Sequence, residues 1–240
     1  MKDVVISLFD DSGNLMQPWM DAGYECYVFD ILNPEAGEDI GRLHRRYADL
    51  RCPLQCPVEP ARVALVSCHP PCDHLAVSGA RWFKGKGLRL LAQSIEMFAT
   101  SAEFCEMVGA PYMIENPVST ISSYWRQSDY RYSPYEYSEL NVEDNYTKTT
   151  CLWTGNGFVM PEKRPHPQVV AAIAEVVQVC GRMVAKPKAL VACPDSVLVA
   201  EWYPDNRIHA LPPGPERAYL RSVTPTSFGQ AVFEANCPLD

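Results

Sequence analysis

The sequence lacks a long apolar segment, and none of its hydrophobic runs approaches the roughly 18–20 residues that a membrane-spanning helix requires. Its N-terminal apolar stretch is short and soon meets Asp10 and Asp11, which is not the pattern of a secretory signal peptide. We therefore expect a cytoplasmic protein that does not enter membranes. In that compartment, free thiols are the default state of the ten cysteines.

Basic residues are few relative to acidic ones. The chain has 21 Lys and Arg against 29 Asp and Glu, which gives a formal net charge of −8. Because nonspecific binding of nucleic acid depends on clustered Lys and Arg, this balance argues against a surface built for it, although a local basic cleft is compatible. Internal repeats and low-complexity tracts are also absent, and 47% of the 240 residues are hydrophobic, which is enough for a substantial core.

Short apolar segments alternate with segments of helical periodicity along the chain. The candidate strands are residues 4–9, 25–31, 62–68, 111–116 and 150–154, and the candidate helices are residues 15–22, 87–107, 168–183 and 226–236. This alternation predicts an α/β fold in which a mostly parallel sheet carries helices on both faces. We expect a catalytic domain over residues 1–160 and a C-terminal segment over residues 161–240, whose last helix packs back on that domain.

Potentially reactive side chains come at, or just past, the carboxyl ends of the predicted strands. They are Asp10, Asp30, Cys72 and Glu115. Because ligands of open α/β sheets bind at these ends, a thiol and a carboxyl group can meet one ligand there. The two prolines before Cys72 fix the backbone that presents the thiol. The alternatives are a turn with a packed cysteine and, for Glu115, a cap on the strand end.

A thiol next to a carboxylic acid suits chemistry at C5 of cytosine. That carbon is too weakly nucleophilic to attack a methyl donor unaided. Addition of a thiolate at C6 breaks the aromaticity of the ring, and an acid that bonds N3 stabilises the charge that develops there. We therefore interpret Cys72 as a covalent nucleophile and Glu115 as its acid partner.

Five stretches resemble, in order, the motifs of the DNA cytosine-C5 methyltransferases, in a compact form of the kind seen among phage-borne members. They are residues 8–24, 48–50, 70–79, 115–117 and 224–236, of which the match is good up to about residue 120 and weak at the C-terminal end. The resemblance implies a Rossmann-like fold that binds S-adenosylmethionine, transfers a methyl group to cytosine in DNA, and has a small or absent target-recognition domain.

The resemblance also implies roles for individual residues. The implied catalytic residues are Cys72, Glu115 and Asn116. The implied donor-binding residues are Phe9, Asp10, Ser12, Gly13, Trp19, Asp30, Ile31, Asp49, Leu50 and Pro70. The implied substrate-binding residues are Pro71, Ser78, Pro117 and Arg221, and no metal is expected. Trp19 has a second interpretation as a buried helix residue.

The sequence departs from the family pattern at several points. The first motif lacks the usual Gly-x-Gly, Pro117 stands where Val is common, and no clear Gln-x-Arg-x-Arg motif is present, although Arg217 and Arg221 are candidates for its role. The chain between Asn116 and the last motif is short, so it leaves little room for target recognition.

Other functions remain open at this point. The same chemistry on a free cytosine nucleotide such as dCMP or dCTP suits the small size and the net charge of −8. A modified one-carbon or carboxymethyl group is a further variant. A thymidylate-synthase-like enzyme also has a Pro-Pro-Cys nucleophile, but there it falls late in the chain. A non-catalytic module could instead hold zinc with Cys52, Cys56, Cys68 and Cys72.

Overall fold

The computed structural model describes residues 2–180, 182–183, 202–210, 212, 214 and 220–238. Arg217 lies outside the described residues. The chain divides into two compact units. The first unit comprises Met1–Arg131, Thr150–Met160 and Val232–Asp240, and the second comprises Tyr132–Thr149 and Pro161–Ala231.

An eight-stranded sheet organises the described residues. Its strands are β1 (Val4–Leu8), β2 (Glu25–Asp30), β3 (Glu38–Ile40), β4 (Leu43–Tyr47), β5 (Val63–Cys68), β6 (Tyr112–Pro117), β7 (Tyr130–Tyr132) and β8 (Thr150–Gly155). Their order is β3-β4-β2-β1-β5-β6-β8-β7. Five adjacent strands, β4-β2-β1-β5-β6, pair in parallel. At the two sides, β3 pairs antiparallel to β4 and β8 pairs antiparallel to β6. The prediction of an α/β protein with a mostly parallel sheet is therefore confirmed.

The α-helices of the described residues lie between β1 and β2, between β5 and β6, between β6 and β7, and after β8. They are α1 (Gln17–Asp21), α2 (Phe83–Lys86), α3 (Leu88–Val108), α4 (Ile121–Tyr124), α5 (Pro167–Cys180), α6 (Arg207–Ala210) and α7 (Thr226–Asn236). The longest, α3, joins β5 to β6 and ends at Gly109, whose left-handed φ of 71° closes the last turn. Within the described ranges, no helix combines the length and the apolarity needed to cross a bilayer.

The predicted strands and helices are all present, with ends that shift by a few residues. The helix expected over 15–22 begins as a 3₁₀ turn, Asn14–Met16, before α1. Three strands, β3, β4 and β7, were not predicted. Because β4 carries His44, Arg45 and Arg46, it shows no apolar alternation. It is held instead by its pairing with β2 and by stacking of His44 on Tyr27 of β2, with ring centroids 4.5 Å apart.

The core of the first unit forms around two wholly buried strands. Every residue of β1 and β5 is buried. Phe98, Phe104 and Cys105 of α3 pack in the same cluster. Phe98 also makes an edge contact with Trp153 of β8, with centroids 5.2 Å apart. Burial of these continuous apolar strands is the usual condition of a parallel sheet.

The second unit has its own aromatic packing. Tyr132 stacks on Phe228 of α7 with centroids 3.9 Å apart, and Tyr137 meets Phe228 edge-on. The carboxylate of Asp144 accepts a 2.9 Å bond from the backbone N–H of Ser227 in the first turn of α7. Burial raises the pKa of Asp144.

Close packing of β6 on β8 predicts that Gly155→Ala destabilises the sheet. A Cβ at position 155 would lie 2.6 Å from the hydroxyl oxygen of Tyr112, its partner across the two strands. Because a ring in a packed core can move little, we expect a loss of roughly 1–3 kcal/mol of unfolding free energy. Denaturant unfolding measures it.

Gly85→Ala is the matched control, since a Cβ there meets no atom within 4 Å. Gly85 lies in α2, so Ala is expected to be neutral or slightly stabilising. Equal stability of the two variants would contradict the packing described for Tyr112 and Gly155.

Candidate active site

The register of the parallel strands aligns the residues that follow their carboxyl ends. Leu8 of β1 is level with Phe29 of β2 and with Cys68 of β5. Cys68 is in turn level with Ile114 of β6. The residues one step further, which include Asp30, His69 and Glu115, therefore form one row along this edge of the sheet.

The chain changes direction across the sheet at β1. From β1 it proceeds to β2 and β4 on one side, and then returns to β5 on the other side of β1. Ligands of α/β sheets bind outside the carboxyl ends of the strands at such a switch point. The loops after β1 and β5, which contain Asp10 and Cys72, flank this point. The topology thus makes this edge the candidate site.

The loop after β1 is shaped by the carboxylate of Asp10. Its Oδ1 accepts hydrogen bonds from the backbone N–H of Gly13 at 2.7 Å and from the N–H and hydroxyl of Ser12 at 3.0 and 2.9 Å. Gly13 adopts the left-handed φ of 66° that glycine permits, and Phe9 has φ 57°. The carboxylate of Asp10 therefore stabilises the turn of this loop, which has only one glycine.

Carboxylates converge where β1 and β2 end. Asp30 is half-buried and accepts a 2.8 Å bond from the N–H of Leu32. Burial raises the pKa of Asp30, and the nearby charges of Asp11 and Asp10 raise it further. The next residue, Ile31, is 51% exposed and offers an apolar surface beside these acids. This side of the site suits a ligand with positive charge and hydroxyl donors.

The loop that carries Cys72 is fastened to β6. The side-chain N–H of Asn116, which is buried, donates a 2.9 Å bond to the carbonyl of Pro70. The carbonyl of Cys72 accepts from the N–H groups of Leu75 and Ala76, which closes the following turn. Cys72 itself is half-buried. The thiol therefore lies on a short loop that a buried amide holds beside the end of β6.

A second polar connection joins β5 to β6. The hydroxyl of Ser67 lies 2.7 Å from Nε2 of His69, and Nδ1 of His69 lies 3.3 Å from Oε2 of Glu115. Ser67 is fully buried and Glu115 is 7% exposed. His69 is not among the site residues that the sequence and the resemblance imply. The one signal for this contact was a serine within an otherwise apolar strand.

Three of the predicted donor-binding residues are otherwise engaged. Trp19 is 0% exposed and packs edge-on against Tyr24 and Phe233, which favours its interpretation as a buried helix residue. Leu50 is buried in the main core. Asp49 binds the guanidinium of Arg51 through both oxygens, at 2.8 and 2.5 Å, and Arg51 lowers its pKa.

The remaining predicted residues differ in exposure. Pro71 and Ser78 are exposed on the loop after β5, Pro70 is buried, and Pro117 is half-buried at the end of β6. Arg221 is half-buried and belongs to the second unit. Beside the Cys72 loop, a cavity of about 350 Å³ is lined by His74, Phe83, Lys84, Lys86, Gly87, Leu88 and Leu91.

The cysteines that the structure describes form no group that could hold a metal ion. In the described part of the chain, no three His, Cys, Asp or Glu side chains are arranged to hold a metal ion. Cys68 is buried next to Cys105, with the two sulfur atoms 3.7 Å apart, while Cys52 is exposed. The geometry therefore gives no support to a zinc site built from Cys52, Cys56, Cys68 and Cys72.

Comparison with known proteins gives no assignment. No protein-family model matches the chain, and no curated protein matches it. A function for this chain is therefore inferred from the residues themselves and from their placement at the sheet edge.

The raised pKa of Asp30 predicts how Asp30→Asn changes stability. A carboxyl whose pKa is raised by folding favours the folded state when protonated, and this contribution is lost as the pH rises through the folded pKa. The variant removes the charge and keeps an oxygen for the N–H of Leu32. We expect a higher melting temperature at neutral pH, with the gain vanishing below about pH 4.

Thermal unfolding at both pH values measures the effect. Asp49→Asn is the control, because Arg51 lowers the pKa of Asp49 and removal of that charge brings no gain at neutral pH. A lower melting temperature for Asp30→Asn at neutral pH would show that the charge of Asp30 is not destabilising.

The bond between Asn116 and Pro70 predicts that Asn116→Ala loosens the Cys72 loop. The variant leaves a buried carbonyl without its donor, which costs about 1–3 kcal/mol. Because the loop then opens more often, Cys72 should react faster with iodoacetamide, as followed by peptide mass spectrometry.

Asn33→Ala is a matched control for that experiment. Asn33 is also buried and donates to the carbonyls of Val28 and Arg46 at the opposite side of the sheet. It should lose comparable stability and leave the alkylation rate of Cys72 unchanged. An equal rise in both variants would trace the reactivity to global destabilisation rather than to the loop.

Proposed function

We propose that this chain is an S-adenosylmethionine-dependent cytosine-C5 methyltransferase that acts on DNA through a covalent bond from Cys72 to C6. The observation that carries the proposal is the connection between β5 and β6. Asn116 binds the carbonyl of Pro70 in the loop that carries Cys72, and the adjacent residue, Glu115, lies at the same edge of the sheet. A nucleophile and an acid are thereby supported at the switch point of an α/β sheet.

The sheet order supports a Rossmann-like fold. Read across the parallel strands, the order β4-β2-β1-β5-β6 has the first strand at the centre and successive strands on either side of it. This is the arrangement of doubly wound nucleotide-binding sheets. The antiparallel β8 extends it beyond β6. We also propose that the target-recognition part of the protein is small.

The donor side of the site fits S-adenosylmethionine. That molecule carries a positive sulfonium and ammonium group, ribose hydroxyls and an adenine ring. The convergence of Asp30 with Asp10 and Asp11 suits the positive charge and the hydroxyl donors. The exposed Ile31 offers an apolar surface for the adenine. Among the residues proposed to hold the donor, Asp10, Ser12 and Gly13 supply the loop, and Asp30 the ribose contact.

The chemistry of the chain's own residues follows from their positions. Cys72 adds through its thiolate to C6 of the cytosine, while Glu115 gives a proton to N3 and stabilises the resulting enamine. Asn116 keeps the loop in place through Pro70. When bound, S-adenosylmethionine supplies the electrophilic methyl group. After loss of the C5 proton to a base, the thiolate leaves and Glu115 recovers its proton.

A free cytosine nucleotide is the second candidate substrate. The net charge of −8 favours it, because a nucleotide needs far fewer phosphate contacts than a duplex. DNA requires in addition that the base be flipped out of the helix. The same residues also suit a modified one-carbon or carboxymethyl donor.

Transfer of labelled methyl from S-adenosylmethionine tests the proposal. The substrates are duplex DNA, single-stranded DNA, RNA, dCMP and dCTP. We expect label in DNA with the wild type and none above background with Cys72→Ala, since removal of a covalent nucleophile abolishes the pathway. Cys52→Ala, which removes an exposed cysteine elsewhere, should transfer label at the normal rate.

The other outcomes separate the alternatives. Label in dCMP or dCTP alone would make the protein a nucleotide-modifying enzyme. Equal label with Cys72→Ala would exclude a covalent mechanism through this thiol. Absence of label from every substrate would contradict methyl transfer by this chain.

A further inference from the structure

The proposed acid, Glu115, belongs to a set of three side chains in contact through His69. Ser67, His69 and Glu115 lie on the adjacent strand ends of β5 and β6, with separations of 2.7 Å from Ser67 Oγ to Nε2 and 3.3 Å from Nδ1 to Oε2. The side chain of His69 is 13% exposed, so solvent competes little for either nitrogen. The proposed reaction as described above assigns no role to His69 or Ser67.

The hydroxyl of Ser67 can fix the tautomer of His69. A neutral imidazole has one N–H and one bare nitrogen, and the partner of each nitrogen determines which is which. If the Ser67 hydroxyl donates to Nε2, the proton resides on Nδ1, which lies 3.3 Å from Oε2 of Glu115. Contacts of this kind are often long before substrate binds and tighten in the complex.

The tautomer has a consequence for the carboxyl group of Glu115. An oxygen that accepts a hydrogen bond is the poorer site for the acid proton. In the structure the 3.3 Å contact is an ion-pair distance without the alignment of a hydrogen bond. Once Oε2 accepts this bond in the substrate complex, the proton of neutral Glu115 is held on Oε1. Once Glu115 has given that proton away, the same N–H stabilises the carboxylate that remains.

We propose that His69 is a positioning residue for Glu115, held by Ser67, and that it selects Oε1 as the oxygen that delivers a proton to N3 of the cytosine. This inference depends on the proposed function. It names a residue that does not touch the substrate but that the reaction needs. The competing explanation is a buried His69–Glu115 ion pair that only stabilises the strand ends.

The rate of methyl transfer by His69 variants distinguishes the two explanations. In His69→Asn, the amide nitrogen stands near the place of Nδ1 and keeps the donor to Glu115, whereas His69→Ala removes it. We expect His69→Ala to lower kcat for methyl transfer about 10²-fold with little change in KM. His69→Asn should recover most of that loss. A merely structural role predicts that both variants lose stability and keep kcat.

His44→Ala is the matched control for these rates. His44 has a similarly small exposed fraction of 17% and also contacts two carboxylates, Glu25 and Asp39, at 2.8 Å each. It lies on β4, away from the candidate site. We expect a normal kcat. A kcat loss in His44→Ala equal to that in His69→Ala would overturn the proposal.

Nitrogen-15 NMR of the histidine ring tests the arrangement independently of activity. The His69 signal is identified by its absence from His69→Asn. A neutral ring protonated on Nδ1, which turns into a mixture of tautomers in Ser67→Ala, supports the proposal. A ring protonated on Nε2 alone, or a doubly protonated ring, overturns it. If the wild type transfers no label, the proposed function fails, and the tautomer still decides whether His69 directs its proton at Glu115.

Discussion

The pairing of β1 between β2 and β5 is the constraint on which the rest of the site depends. Because β1 is wholly buried, its backbone N–H and carbonyl groups need partners on both neighbouring strands. A slip of one residue would turn every side chain of β1 to the opposite face of the sheet. The register is therefore fixed, and with it the level at which β2, β5 and β6 end. Asp30, His69 and Glu115 share one row for this reason.

Beyond that row, the loops are held by hydrogen bonds from side chains to the backbone, whereas the strands are held by backbone pairing. The loop after β1 is closed by the carboxylate of Asp10, and the loop after β5 by the amide of Asn116. Pro70 and Pro71 have no N–H to offer, so the carbonyl of Pro70 is the only backbone group of that residue which a neighbour can bind. Two buried polar side chains thus set the geometry of both loops.

The sequence allowed the buried strands, and the positions of Cys72 and Glu115 relative to them, to be predicted, because each is marked by a local pattern. Apolar runs identify β1, β5 and β6, and the placement of Cys72 after β5 and of Glu115 near the carboxyl end of β6 is visible along the chain. Features that depend on distant pairing were missed or assigned differently. β4 is stabilised by its neighbour β2 rather than by its own composition, and Trp19 is buried against Phe233 from the other end of the chain. The contact of His69 with Glu115 requires the register of two strands.

Charge is distributed unevenly along the edge of the sheet, and this bears on the proposed binding of a cationic donor and an anionic substrate. The ends of β1 and β2 carry Asp10, Asp11 and Asp30, whose mutual repulsion contributes to the raised pKa of Asp30. The segments after β5 carry Lys84 and Lys86 beside the cavity. A cationic donor and an anionic nucleotide would each meet complementary charge on their own side of the switch point. A net charge of −8 is therefore compatible with a nucleotide or DNA substrate, because the acidic excess includes groups that suit the donor.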